Sequence, residues 1–138
     1  GAFCIVVCGL LSRKRSDVMG CVVVDGGMND LIRPALYDAH HDVLPVIATK
    51  GRKVRVDLVG PVCESSDVLG VDRLMPLPAA GSLLAVMSAG AYGMSMASTY
   101  NSRPRAAEVL VSGASYEVIR KRESVEDLWR SEVNPLPL

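Results

Sequence analysis

Four stretches of this chain gather side chains that can do chemistry. The first runs Asp25-Gly26-Gly27-Met28-Asn29-Asp30-Leu31-Ile32-Arg33-Pro34-Ala35-Leu36-Tyr37. If this segment is helical, Arg33 and Tyr37 stand four apart and share a face. A guanidinium beside a phenol suits a carboxylate, because arginine can grip it through two hydrogen bonds. The plainer account is a surface arginine next to a packed tyrosine. The second stretch is Gly60-Pro61-Val62-Cys63-Glu64-Ser65-Ser66-Asp67. A cysteine in such a loop is accessible, and thiols titrate close enough to neutrality to deliver a proton. Glu64 offers a carboxylate to an ammonium group; the alternative is an ordinary loop with a capping Asp. The third stretch, Ala89 to Ala97, sets small residues around Tyr92. These let a backbone approach a ligand closely, or simply pack tightly at a turn. The fourth, Tyr100-Asn101-Ser102-Arg103-Pro104-Arg105, is a polar interface or a solvated loop.

The scaffold that must carry these groups is the size of one domain, residues 1–138, with 49% hydrophobic residues and enough length for a single core. Aromatics are only 4%, so the core falls to Val, Leu, Ala and Met, and short valine runs favour strands. The formal net charge is zero and no long Lys/Arg tract is present, which argues against nucleic-acid binding. The cysteines stand at 4, 8, 21 and 63, with no C-x-x-C pair and with His40 and His41 remote from them. That spacing does not suit zinc, so no metal is expected, and a secreted disulfide framework is not expected either. Cys4 and Cys8 would share one face of a strand as small core residues. The apolar run from Gly1 to Leu11 is too short to span a bilayer. Its basic residues follow it, whereas a secretory signal places them first. A buried strand in an intracellular, reduced domain without membrane contact fits better. Because the chain opens on Gly inside apparent structure, it reads as a fragment or excised domain.

Ala2 to Cys8 is expected to be a strand and Ser12 to Met19 a polar connection. Cys21 to Asp25 gives a second strand, stopped by Gly26-Gly27. Leu31 to His40 suits a short helical or irregular segment with Pro34 near its start. Val43 to Ala48 reads as an edge strand because of Pro45. Lys53 to Val59 has the clearest signal: Val54, Val56 and Leu58 alternate with Lys53, Arg55 and Asp57. Ser82 to Met87 is a further apolar run. Glu108 to Val111 and Tyr116 to Lys121 flank Ser112-Gly113-Ala114-Ser115 as a hairpin. Ser124 to Asp127 opens a short terminal helix. Many short strands with Gly- and Ser-rich connections predict a mainly β, Greek-key-like antiparallel barrel with short helices, a sandwich being the competitor.

In this order, the stretches resemble diaminopimelate decarboxylases. The residues that carry the likeness are Val24 to Tyr37, Gly60-Pro61-Val62-Cys63-Glu64-Ser65, Gly90-Ala91-Tyr92-Gly93 and Tyr100 to Pro104. Ornithine and arginine decarboxylases look similar at the Gly-Pro and Cys positions but usually carry Asp after that Cys, and they lack the Asn-Asp-Leu-Ile-Arg-Pro-Ala-Leu-Tyr run. The resemblance implies the C-terminal β domain of a fold type III pyridoxal-phosphate enzyme. It also implies a homodimer with shared active sites and conversion of meso-diaminopimelate to lysine, in the cytoplasm, or in a plastid in a plant. By the same resemblance Arg33 and Tyr37 bind substrate, and Tyr92 sits by the cofactor phosphate and the substrate. Cys63 protonates the carbon left after decarboxylation, and Glu64 holds the distal end of the substrate.

Two positions depart from the pattern: Ser66 replaces a common Gly, and Thr99 a common Asn. The (β/α)8 barrel, its phosphate loop and its Schiff-base lysine are absent. Lys14, Lys50, Lys53 and Lys121 all lie outside that context, so this chain alone is not expected to anchor the cofactor. Two other readings are a truncated, non-catalytic dimerisation module and a decarboxylase of another basic amino acid.

Overall fold

The computed structural model describes residues 6–15, 20–90 and 92–133, the side chains of 13–15 excepted. The chain divides into two compact units, residues 1–97 and 98–138. In the first, six strands lie in the order β3-β6-β1-β2-β4-β5. They are β1 (Val6–Arg15), β2 (Gly20–Val24), β3 (Val43–Pro45), β4 (Lys53–Val59), β5 (Val68–Pro76) and β6 (Leu83–Val86). Among the described residues one short α-helix, α1 (Arg33–Tyr37), interrupts them.

Strand β1 serves both halves of the sheet. Val6 to Gly9 pair with β6, and Leu10 to Arg15 pair with β2, with a register shift between Leu10 and Ser12. An extra residue at such a point bends a strand and increases its twist. The sheet curls until β3 and β5 approach one another, giving a nearly closed barrel. Period-two side chains fill it: Cys8 and Leu10, Val22 and Val24, Val56 and Leu58, Leu84 and Val86 are all buried. Each valine or leucine withdrawn in this way contributes roughly 1.5–3 kcal/mol. Cys8 is therefore the core residue its spacing suggests. Burial pushes its thiol up to about 12, with the Asp25 and Asp30 charges acting in the same sense.

Several expectations need correction. The strand expected over Ala2–Cys8 begins outside the described residues in part and continues to Arg15, so Ser12–Arg15 is strand, not connection. Its polar residues are tolerated because they pair with β2 through backbone groups. Strand β5 was not anticipated. Its pattern is broken at Asp72, which has a φ of 53° and donates its N–H to Asp57 Oδ1 at 2.9 Å. The sheet is also not purely antiparallel, since β2 and β4 run parallel, pairing Val22 with Leu58 and Val23 with Val59. Strand β4 occupies Lys53–Val59 as read, and β3 is an edge strand that ends at Pro45.

The second unit contains the hairpin β7 (Glu108–Ser112) and β8 (Ser115–Arg120). Gly113, with φ of 59°, is the first of its two loop residues, where a two-residue hairpin turn calls for positive φ. The segments flanking the hairpin are joined by Arg105 and Glu123. Arg105 donates its N–H to Glu123 Oε2 at 2.9 Å and its Nε–H to Oε1 at 2.8 Å, and Glu123 N–H returns to Arg105 O at 3.1 Å. A 3-10 turn over Glu126–Leu128 follows, and the Asp127 carboxylate accepts the Ser124 N–H at 2.7 Å.

Candidate functional site

The parallel β2–β4 pair puts the ends of both strands side by side, so the segments that leave them start together. After β2 the chain turns at Gly26-Gly27. Asp30 and Leu31 donate their N–H groups to Gly27 O, and Gly27 N–H reaches Asp30 Oδ2 at 2.9 Å. This turn delivers α1, whose Pro34 occupies the first helical turn and whose end is capped by Asp38 in the left-handed region.

The guanidinium of Arg33 lies 5.0 Å from the centre of the Tyr92 ring, a cation–π arrangement. Arg33 Nε is buried and meets no hydrogen-bond partner among the described residues. Sequence spacing paired Arg33 with Tyr37, but its ring partner comes from 59 residues away. Tyr37, at the end of α1, is 61% exposed and has no ring contact to Arg33 among the described residues. Tyr92 follows β6 and is itself half exposed. Its neighbour Gly93 is required by space: a Cβ there would stand 2.5 Å from Ala89 O.

After β4 the chain forms the loop Gly60–Asp67, with Cys63 and Glu64 exposed near its tip. The loop is closed from within. Gly60 N–H donates to Asp67 O at 2.9 Å, Asp67 N–H to Glu64 O at 3.0 Å and Val62 N–H to Asp67 Oδ2 at 2.6 Å. Asp67 Oδ1 also accepts the Met28 N–H at 2.7 Å, tying this loop to the turn before α1. Ser66 adds a weak contact to Met28 Sδ at 3.8 Å. It has no positive φ, so the serine imposes no backbone strain where a glycine was expected. Asp67, only 3% exposed, is the residue whose importance the sequence understated. The clue was present in the Cys-to-Asp interval, but an aspartate ending a loop has many commoner explanations.

A shallow groove of about 370 Å³ lies between α1 and β5, lined in part by Pro34, Ala35, Ser66 and Arg73. Among the described residues no cluster of three His, Cys, Asp or Glu could hold a metal ion. No helix among them is long and apolar enough to cross a membrane. A phosphate-bearing pyridoxal cofactor fits this chain as a contributor only. The Arg33 guanidinium and the exposed Tyr92 phenol suit anionic oxygens. The lysines whose side chains are described, Lys50, Lys53 and Lys121, are exposed on strand or loop positions remote in sequence from either group.

Comparison with known proteins finds relatives over most of this chain. A diaminopimelate decarboxylase of Zymomonas mobilis is 50% identical over 119 residues, covering 86% of this chain and 28% of the relative. The Aquifex aeolicus diaminopimelate decarboxylase is 53% identical over 105 residues, covering 76% of this chain and 25% of its own length. This chain thus spans about a quarter of the length of these relatives. The crystal structure of the Helicobacter pylori diaminopimelate decarboxylase complexed with L-lysine superposes with a TM-score of 0.85 at 43% identity, covering 93% of this chain and 31% of that one. The family described as pyridoxal-dependent decarboxylase, C-terminal sheet domain, matches residues 2–90, the part that forms the curled sheet and both site loops. On that match the chain belongs to the C-terminal sheet domain family of pyridoxal-dependent decarboxylases.

Proposed function

We propose that residues 1–138 form the C-terminal β portion of a diaminopimelate decarboxylase, which converts meso-diaminopimelate to L-lysine and carbon dioxide. The observation that carries this reading is the shared origin of two loops at adjacent strand ends, one bearing Arg33 and the other Cys63 and Glu64. In the complete protein, Arg33 grips a substrate carboxylate through its guanidinium fork, steadied by the face of Tyr92. Tyr37 adds a phenol at the rim. Glu64 receives the ammonium of the distal substrate end, and Tyr92 directs its hydroxyl toward the cofactor phosphate and the substrate.

Pyridoxal phosphate, held covalently by a lysine elsewhere in the protein, supplies an electron sink when bound. Cys63 then does the one piece of proton chemistry assigned to this chain. As the bond to the departing carboxylate breaks and carbon dioxide leaves, Cys63 Sγ gives its proton to that carbon and recovers one from water. An exposed loop tip suits delivery into a neighbouring subunit, so the working unit is a homodimer with shared active sites, in the cytoplasm. The test is Cys63→Ala in the full-length protein. It should leave the absorbance of the bound cofactor unchanged and reduce turnover by about 10²- to 10⁴-fold. Unchanged turnover would overturn the assignment of Cys63.

A further inference from the structure

We infer that Asp67 is a positioning residue that sets the register of the Cys63–Glu64 loop against the Arg33 segment. This rests on the reading of Cys63 as proton donor. Asp67 acts through backbone groups. It is almost wholly buried, yet both oxygens of its carboxylate are used on backbone N–H groups of two different segments: Met28, in the turn leading to Arg33, and Val62, beside Cys63. Its own backbone closes the loop at Gly60 and Glu64.

The surroundings are shaped to this carboxylate. A Cβ on Gly60 would overlap it, and a Cβ on Gly27 would stand 3.1 Å from Oδ1. The glycines of both segments therefore leave the space that Asp67 occupies. A longer side chain has no room, and an amide of the same shape can satisfy only one of the two N–H groups. A carboxylate is the side chain of this size that accepts from both at once. Tethered in this way, a thiol at the tip of an exposed loop keeps a fixed relation to the substrate-binding segment without help from its own contacts.

The test uses the full-length enzyme, with Asp67→Asn, Cys63→Ala and the double variant. Asp67→Asn should lower kcat about tenfold to hundredfold, the loss expected from misplacing a reacting group by about 1 Å, and KM should rise with it because Glu64 rides on the same loop. In the double variant kcat should fall no further than in Cys63→Ala alone. A merely structural residue would instead multiply the two losses. Unchanged kcat in folded Asp67→Asn, multiplicative losses, or a rise in KM without a fall in kcat would each overturn the inference.

Two readouts do not depend on turnover: amide exchange at Val62 and Met28, and the rate at which iodoacetamide alkylates Cys63. The first should accelerate and the second should change in Asp67→Asn. If Cys63→Ala leaves turnover intact, the proton-donor reading fails, and these two measurements alone decide Asp67; no change in either rejects it. If Asp67→Asn does not fold, Gly27→Ala takes its place. That added methyl presses on the same Oδ1 and should show the same pattern more weakly, whereas wild-type kcat and exchange would reject the inference.

Discussion

Replacing Arg33 by methionine isolates the charge and fork of this side chain while keeping much of its apolar stem. Three structural facts set the magnitude. The guanidinium stacks on the Tyr92 ring at 5.0 Å, Nε is buried without a partner among the described residues, and Tyr92 is half exposed. The ring contact at a partly exposed position contributes roughly 0.5–1 kcal/mol to holding the fork in place. A hydrogen bond from that fork to a carboxylate contributes roughly 1.5–3 kcal/mol, because the groups are charged. The carboxylate grip dominates, and its loss corresponds to about ten- to hundredfold weaker binding.

The assay is calorimetric titration of the full-length protein with L-lysine, which keeps one carboxylate, and with cadaverine, which has none. Arg33→Met should weaken L-lysine by that factor and leave cadaverine unchanged. Arg33→Lys should fall between, since an ammonium keeps the charge but not the planar fork. Equal losses for both ligands would mean that Arg33 shapes the site without touching a carboxylate. No loss for either would refute the assignment outright.

Further expectations concern stability and reactivity. Leu58→Ala empties a fully buried position of the curled sheet and should cost about 2–5 kcal/mol in chemical denaturation, with the parallel β2–β4 pair the first to lose amide protection. Cys63 should alkylate rapidly in native protein near pH 8. Cys8, buried and with its thiol pushed up to about 12, should react only after unfolding, as peptide mapping of the labelled protein would read directly. Glu123 is held below its ordinary value of 4.5, first by the side-chain hydrogen bond from Arg105 and then by the Arg105 backbone N–H. A carboxylate whose folded value is depressed contributes stability that is fully present above its ordinary value and is lost as pH falls through the folded one. Amide exchange at Arg105 and Glu123 should therefore accelerate as pH falls from about 4.5, once the intrinsic pH dependence is divided out, and Glu123→Gln should abolish that dependence.

Local pattern settled much of the scaffold. The alternation of Val54, Val56 and Leu58 was enough to define β4, because one buried face demands period two whatever lies opposite. The hairpin around Gly113 was legible because its turn needs a backbone conformation that glycine adopts freely. The types of Arg33, Cys63, Glu64 and Tyr92, and the order of their motifs, were likewise visible in the chain itself.

Pairing across the molecule was not legible. That β2 and β4 run parallel is decided by how the whole sheet closes, since a strand's own residues say little about the direction of its neighbour. Strand β5 was hidden because Asp72 breaks its alternation while its backbone groups remain paired. Arg33 has its ring contact with Tyr92 rather than with Tyr37 because tertiary packing brings a distant turn over α1. Asp67 shows the same limit most clearly. Its residue type was in view, but its role depends on two N–H groups, one five residues before it and one 39 residues before it, and only the folded chain brings both to one carboxylate.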